Sequence, residues 1–568
     1  MAKSKYTPGV FRNEKDISEV ISPAGTSVGA TVLECAKGIS NSRVLVNLDK
    51  NLVEQFGKPN ADSTDYNIYG GLEFLGVSDS LYVVRATSGA ETYSNIVVSG
   101  SAVSGTGYNN TNTITEKSTT TLLAETGYSD GNTPTDISAL EGNSFLANEK
   151  LLIASIGPGV YGDLVGVTLT TSGSSTELSG SYDWANSYDT ATAGKVFKLD
   201  VYVKASTDDD SFPTTPKETF YVSNEYVKDS GGAQMYAEDI VNGNSNYIYV
   251  KVNDSGYPHE VHTSGLPVAL ANGADSSTTY ATEVGDKTSA WSLFSDTDKV
   301  KLNILLGAYG HTLGGTVTAY VGNLASNRLD CIACIQNDDI VDDTTAEVID
   351  NTITLTTGSY SAKYAGWDYY YDKYSDRKIY IPKCIAGAVA MAHTDNVAKT
   401  WDAPAGMNRG GISYSLGQNK VWTDTEIGLL YKSNINTSKF IRGTGDVLWG
   451  QKTAQTKKSA LDRINVRRLL LFVENSIEPS LLPFLFESNS EPTRLRVTNI
   501  VDDFMEGVES GGGVTTYEVV CDETNNTSQV IDNNELVIDL YVQPTKTIEF
   551  IKLNVVITRS GVNFAEVR

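Results

Sequence analysis

Positive charge is what this chain has least of. Its 568 residues carry 44 Lys and Arg against 69 Asp and Glu, a net charge of −25. Such a balance keeps a protein soluble and excludes DNA and RNA as expected ligands, because phosphate backbones demand a basic face. Cysteine is also scarce. Cys35, Cys331, Cys334, Cys384 and Cys521 are too few and too scattered for a disulfide framework, which points to assembly in a reducing compartment such as the cytoplasm. No stretch reaches the ~18 uninterrupted apolar residues of a membrane span. The opening MAKSKYTPGVF lacks the apolar run of a signal peptide, so neither membrane insertion nor export is expected. Neither a short-period repeat nor a heptad run is present.

What the chain has in abundance favours strands and tight turns. Thirty-one tyrosines and fifty glycines, with many Thr, Ser, Asn and Val, shift the propensities that way. The length suggests about three or four domains, and charge shows where they divide. From Glu91 to Gly285 there are 8 lysines, no arginine and 24 acidic residues, a net of −16; from Tyr360 to Arg568 there are 23 basic and 25 acidic, a net of −2. The acidic stretch, rich in Gly, Ser, Thr and Asn with short alternating runs such as KVFKLDVYVKA, reads as an exposed β insertion.

Its flanks differ. Val53 to Ala86 predicts helix, turn, helix and strand, and VKLNILLGAYG and RLDCIACIQ predict buried strands, so the insertion splits an α/β layer. Beyond Tyr360, PKCIAGAVAMAHTDNVAKTW and ALDRINVRRLLLFVENSI predict helices. RVTNIVDDFMEGVE places Val497, Ile500, Val501, Phe504 and Val508 on one helical face. After Gly511 to Gly513 come VTTYEVVCD and two further strands, ELVIDLYVQP and KTIEFIKLNVVIT, which predict a hairpin around Gln543 and Pro544. The fold class is therefore a multidomain α/β and α+β chain: a split α/β layer, an exposed β-rich insertion, and a C-terminal α+β assembly domain with extended terminal arms. The expected divisions are 1–22 as N-terminal arm, 23–90 and 286–358 as the two parts of the α/β layer, and 91–285 as the insertion. Residues 359–558 form the C-terminal domain and 559–568 the C-terminal arm.

Candidate chemistry does not converge. TWDAPAGMNRG, Thr400 to Gly410, has the composition of a substrate loop, with His393 and Asp395 before it and Ser413 and Ser415 after it. The GGISYS around those serines is not the G-x-S-x-G elbow that exposes a nucleophile. HEVH, His259 to His262, lacks the i, i+4 spacing of a zinc helix. CIAC, Cys331 to Cys334, has redox spacing, yet on a strand residues three apart point to opposite faces, so these read as buried structural thiols. GPGVYG, Gly157 to Gly162, reads as a turn entering a strand and not as a phosphate loop entering a helix. No catalytic residue, cofactor or metal is expected. One charged feature stands out. KTAQTKKSALDRINVRR gathers Lys452, Lys457, Lys458, Arg463, Arg467 and Arg468 against Asp462, either as a solvated helix face or as a contact for an acidic partner.

The stretch YYYDKYSDRKIYIPKCIAGAVAMAHTDNVAKTWDAPAGMNRG resembles the sheath proteins of contractile phage tails, with P-x-x-x-G-x-x-A-x-x-D and W-x-A-P-A-G in that order. The likeness continues through NINTSKFIRGTGDVLWGQKTA, DRINVRRLLLFVENSI, YEVVCDETNNT and YVQPTKTIEFIKLNV. It also includes YTPGVF, FGKPNADSTDY and LYVVRA near the start. It covers residues 1–90 and 286–568, with GPGVYGDLVGVTL the one similar stretch of the insertion. The resemblance implies a structural subunit that forms a helical homo-polymer around an inner tail tube protein and contracts to drive that tube through the host envelope. The implied partners are further copies, the tube, baseplate and tail terminator proteins, and the implied place is a virion tail assembled in the host cytoplasm. Arms bearing Val10, Phe11, Val562, Phe564 and Val567 would add strands to neighbouring subunits, with Glu535 to Thr558 offering a hairpin edge. Lys457, Lys458, Arg467, Arg468, Arg494 and Arg496 would face the tube. Trp401 and Pro404 would be buried in a packing loop, where Asn408 and Arg409 would hold neighbouring backbone. The alternative is a non-contractile capsid, fibre or surface-layer component.

Overall fold

A computed structural model describes residues 25–553, apart from 26, 36, 41, 61–64, 88–90, 100–112, 116–148, 172–195, 206–210, 229–231, 253–266, 272, 276–279, 311–314, 341–343 and 354. These fall into two compact units. The larger spans Gly25–Thr400 and Pro404–Leu471; the smaller contains Trp401–Ala403 and the chain from Phe472 onward. Among the described residues no helix is long and apolar enough to cross a membrane.

The larger unit is built on a seven-stranded sheet. Its order is Ile435–Asn436, Ser361–Tyr364, Ile332–Gln336, Ile304–Gly307, Gly29–Leu33, Leu81–Arg85 and Val44–Val46, parallel throughout except for the last pair. A parallel sheet is covered on both faces, so its strands are continuously apolar. Gly29–Leu33, Ile304–Gly307 and Ile332–Gln336 are indeed buried along their whole length. Side chains alternate between two cores. Ile304, Leu306, Ile332 and Cys334 pack with helices Asn67–Leu75 and Cys384–Val397, while Leu305, Cys331, Ala333 and Ile335 pack with Trp291 and with Val317 and Val321 of helix Thr316–Arg328. The small residues of CIAGAVAMA let their helix approach closely. A methyl group on Gly387 would lie 2.2 Å from the Tyr364 ring.

Between Leu81–Arg85 and Ile304–Gly307 the chain makes a lobe of two antiparallel sheets. One orders Ile248–Val252, Glu149–Ser155, Asn95–Ser99 and Thr113–Thr115; the other orders Val268–Ala269, Val165–Thr171, Val196–Val203 and Glu218–Ser223. Alternate residues of both, including Ile96, Ile153 and Val250 from the first and Val167, Leu199 and Val222 from the second, share one apolar core. The division expected at 358/359 does not separate compact units. Ser361–Tyr364 and Ile435–Asn436 complete the seven-stranded sheet and helix Cys384–Val397 covers it, so the break falls at Leu471/Phe472.

In the smaller unit, helix Glu491–Ser510 starts with Pro492 in its first turn and ends at Gly511. It buries Val497, Val501, Met505 and Val508. The expected face is thus turned slightly: Met505 is inside, and Ile500 and Phe504 are half-buried at its margin. Strand Val514–Val520 pairs antiparallel with Asp539–Pro544, with a register shift between Val514 and Thr516. The hairpin expected around Gln543 and Pro544 is not formed among the described residues. Proline brings no N–H to a ladder, Asp539–Pro544 pairs upstream, and Thr545 to Leu553 belong to no strand.

Candidate assembly interface

The loop Thr400 to Gly410 is held by packing and by main-chain bonds. Trp401 is half-buried, contrary to expectation. Its Nε1 donates to the Gly511 carbonyl at 3.2 Å, its ring lies 5.7 Å from that of Phe472, and methyl groups on Gly511 or Gly513 would collide with it. Pro404 is buried and Arg409 half-buried, while Asn408 is exposed. Main-chain bonds secure the second half of the loop: Gly406 N–H donates to the Leu448 carbonyl and Leu448 N–H to that of Gly410, at 2.9 and 2.8 Å. The role expected of the Asn408 side chain is filled by backbone, in a tight turn where Gly406 takes a left-handed φ of 79° and a methyl group on Gly410 would lie 2.8 Å from Gly406 N.

The basic run separates into buried and exposed members. Ile464, Arg468 and Leu471 recur at helical spacing on helix Ile464–Leu481, so Arg468 is carried into the core with them. There its guanidinium meets the Asp395 carboxylate at 2.5 Å, both side chains being almost wholly buried, and donates to the Met391 carbonyl at 3.3 Å. Arg467, also buried, donates to Ser359 Oγ at 2.7 Å and stacks 4.1 Å from the Tyr360 ring. Both were expected on a docking surface, and both are core residues. Arg494 is likewise buried, donating to Asn489 Oδ1 at 2.9 Å. Lys452 donates to the Tyr431 carbonyl at 2.7 Å, and Arg463 pairs with Asp462 at 2.9 Å. Lys457, Lys458 and Arg496 are exposed, the last lying over the Phe484 ring at 5.3 Å.

The C-terminal ribbon is unfinished as a sheet. Among the described residues Val514–Val520 and Asp539–Pro544 pair only with one another. Beyond them Ile548, Phe550, Ile551 and Leu553 are 80% or more exposed. A second apolar surface escaped the sequence reading. Leu482, Leu485 and Phe486 are exposed, and Phe486 has a left-handed φ of 70°. The run LLPFLF looks like core; Pro483, within a short turn after the helix, was the signal against that. The arm residues Val10, Phe11, Val562, Phe564 and Val567 lie outside the described residues, as does the HEVH motif.

The candidate chemical groups are taken up structurally. Ser415 donates to the Asp446 carboxylate at 2.7 Å, and Asp395 is held by Arg468. GPGVYG leads through a single 3-10 turn, Val160–Leu164, into strand Val165–Thr171. Cys331 and Cys334 enter opposite cores, and burial raises both thiols, Cys334 to about 12. No group of three or more His, Cys, Asp or Glu among the described residues could hold a metal ion.

Comparison with known proteins gives a consistent set. The family model of the phage tail sheath C-terminal domain matches residues 456–558. The tail sheath protein of Enterobacteria phage T4 is 34% identical over 359 residues, covering 60% of this chain and 53% of the T4 protein. That of Vibrio phage KVP40 is 42% identical over 225 residues, covering 39% of this chain and 32% of its own. The chain thus spans about half the length of the first of these relatives and a third of the second. The crystal structure of a sheath tail protein from Listeria innocua matches with a TM-score of 0.53 at 9% identity, covering 92% of this chain and 96% of that one. Identity so low speaks for the fold alone.

Proposed function

We propose that the chain is a member of the phage tail sheath family and a structural subunit of a contractile sheath, polymerising helically around an inner tail tube; the match of residues 456–558 to the sheath C-terminal domain and the likeness to phage sheath proteins support this. The observation that carries this reading is the unfinished C-terminal ribbon inside the segment matched by the sheath model. A two-stranded ribbon is marginal alone, and its free edges with the exposed apolar strip after it invite strands from other copies. The terminal arms, with Val10, Phe11, Val562, Phe564 and Val567 as strand residues, would supply them. A head-to-tail contact of this kind does not close and generates a helix. Strand pairing then persists while subunits rotate and slide outward from an extended lattice to a wider one, driving the tube through the host envelope.

The subunit is non-catalytic in this reading, and its polar loop is architecture. Its partners are further copies, the tube, and baseplate and terminator proteins at the ends, in a virion tail assembled in the host cytoplasm. Lys457 and Lys458, with Arg496, are the cations left to meet acidic groups of a tube, and the acidic lobe faces outward. The test is electron microscopy of the full chain beside chains lacking Met1 to Ser18 or Gly561 to Arg568. The full chain forms hollow helical tubes, while each truncated chain stays a folded, soluble monomer. Long ordered tubes from truncated protein would sink strand exchange. A full chain that forms no helical polymer, even with bare tubes present, favours the capsid, fibre or surface-layer alternative.

A further inference from the structure

Two aromatic surfaces of the larger unit face solvent, and they carry opposite charge. The first lies where two hairpins are joined. Trp367–Asp372 pairs antiparallel with Arg377–Pro382, and Ser438–Ile441 with Gly445–Leu448. The chain from Gly410 to Asn419 ties the hairpins together: Leu416 N–H donates to the Tyr369 carbonyl at 2.8 Å, and Ile412 N–H to that of Asp446 at 3.0 Å. Asp368, Tyr370 and Asp372 are buried, so alternation turns Tyr369 and Tyr371 outward. The ring of Tyr369 lies 4.2 Å from that of Tyr380 on the opposite strand. Leu416 and Phe440 are both 57% exposed. They are neighbours, because Asp446, paired with Phe440, binds Ser415 and Gln418 on either side of Leu416. Strands RKIYIP and SKFI carry Arg377, Lys378 and Lys439 and no acid, and Arg442 follows the second. Nearby acids are engaged locally: Asp376 accepts from the Tyr371 hydroxyl at 2.5 Å, and Asp424 pairs with Lys439 at 2.6 Å.

The second surface is on the acidic lobe, beside Glu218–Ser223, the edge strand of its sheet. Tyr226 is 73% exposed and stacks on Tyr236, with ring centroids 4.1 Å apart and planes 19° from parallel. Tyr236 leads into helix Ala237–Asn244, whose first turn holds Glu238 and Asp239. From Glu218 to Ile240 five acids stand against one lysine. Glu225 and Asp239 are exposed, as are Lys378 and Arg442 on the first surface.

We propose that these surfaces meet between copies: the Tyr226 and Tyr236 stack of one lobe seats on Leu416 and Phe440 of the next subunit, with Glu225 and Asp239 against Lys378 and Arg442. The inference rests on the self-polymerising reading above and adds a contact remote from the C-terminal ribbon. Charge selects the occupant. A lobe facing a second lobe is repelled, whereas the same lobe facing two basic strands is attracted and held in register. Composition agrees, since exposed aromatic side chains and arginine are what interface cores gather. The stacked tyrosines and Phe440 supply most of the affinity and the charged rim supplies orientation. Because the two surfaces differ, the contact is head-to-tail and does not close on itself, which lets it repeat along a helix beside strand exchange.

Crosslinking of full-length chains tests this. One chain carries Tyr226→Cys and another Phe440→Cys; they are mixed under assembly conditions, treated with a short bismaleimide and read as dimer on a denaturing gel. Dimer should require both substitutions, with each singly substituted chain alone as the control for the native thiols. Adding Lys378→Glu and Arg442→Glu to the second chain should cut the yield roughly tenfold, and Glu225→Lys with Asp239→Lys in the first should restore it. Salt should lower the yield between chains of native charge. Should the reversed chain fail to fold, the salt series decides. Absence of dimer from chains that assemble into helical polymers overturns the proposal and leaves the sheath reading standing; a yield indifferent to charge reversal and to salt also overturns it. Chains that form no helical polymer defeat the sheath reading, and the gel still decides this contact: dimer upholds it and absence of dimer overturns it.

Discussion

Replacing Arg468 by methionine removes a cation that water does not reach. The side chain has Asp395 at 2.5 Å and the Met391 carbonyl at 3.3 Å, and the exposures of the two charged side chains are 3% and 2%. Methionine fills much of the same volume, so the loss is mainly electrostatic: the Asp395 carboxylate stays buried without its cation. Breaking a buried pair from one side costs about 3–5 kcal/mol, against a total stability of about 5–15 kcal/mol for a typical domain. With a urea slope of ~3 kcal/mol per molar, even the lower figure moves the midpoint down by about 1 M. A chain of several units has no single unfolding free energy. The measurement is therefore the midpoint of the transition followed by tryptophan fluorescence, with Trp291, Trp367 and Trp422 buried in the larger unit. Adding Asp395→Leu removes the stranded charge and should return the midpoint to within about 0.3 M urea of wild type. A single Arg468→Met variant with an unchanged midpoint and a defect confined to binding tubes would refute the core assignment and restore Arg468 as a docking cation.

Two predictions concern exposed lysines and buried thiols. Lys457→Glu with Lys458→Glu should leave stability within about 0.5 kcal/mol of wild type, as exposed positions allow. It should impair sheathing of bare tubes, with a milder defect in high salt; normal sheaths at every salt concentration, seen by electron microscopy, would exclude those lysines. Burial raises all five thiols, Cys35 and Cys334 to about 12. The native protein should thus react slowly with a disulfide reagent at neutral pH and release five equivalents on denaturation, whereas a rapid native equivalent would identify a reactive cysteine.

The apolar runs carried the fold well. NILLG and CIACIQ announced buried strands and PKCIAGAVAMAHTDNVAKTW announced a helix; that its small residues bring it close to the sheet emerges only from the structure. Failures came where the deciding partner lies far along the chain. Arg467 and Arg468 look like a solvated run because burying a cation is costly. Ser359 and Tyr360, more than 100 residues upstream, and Asp395, 73 residues upstream, make it possible. KTIEFIKLNV alternates as a strand should, but alternation specifies a face and leaves open which chain supplies the neighbour. The helix register moved toward Met505 because the interior is shared with strand Val514–Val520, whose position no local pattern reveals.

The order of strands in the large sheet also sets a timetable for the ribosome. Gly29–Leu33 lies between Leu81–Arg85, made shortly after it, and Ile304–Gly307, which follows about 275 residues later. At ~5–20 residues per second, roughly 15–55 s of synthesis separate Gly29–Leu33 from Ile304–Gly307. During that interval one edge of a wholly buried strand has no mate, while the acidic lobe, whose sheets are complete within the intervening sequence, emerges and can close on its own core. The arrival of Ile304–Gly307 beside Gly29–Leu33 is thus preceded by a highly charged lobe tethered next to it. The like charge of such lobes disfavours close approach of two nascent chains until Ile304–Gly307 joins the layer.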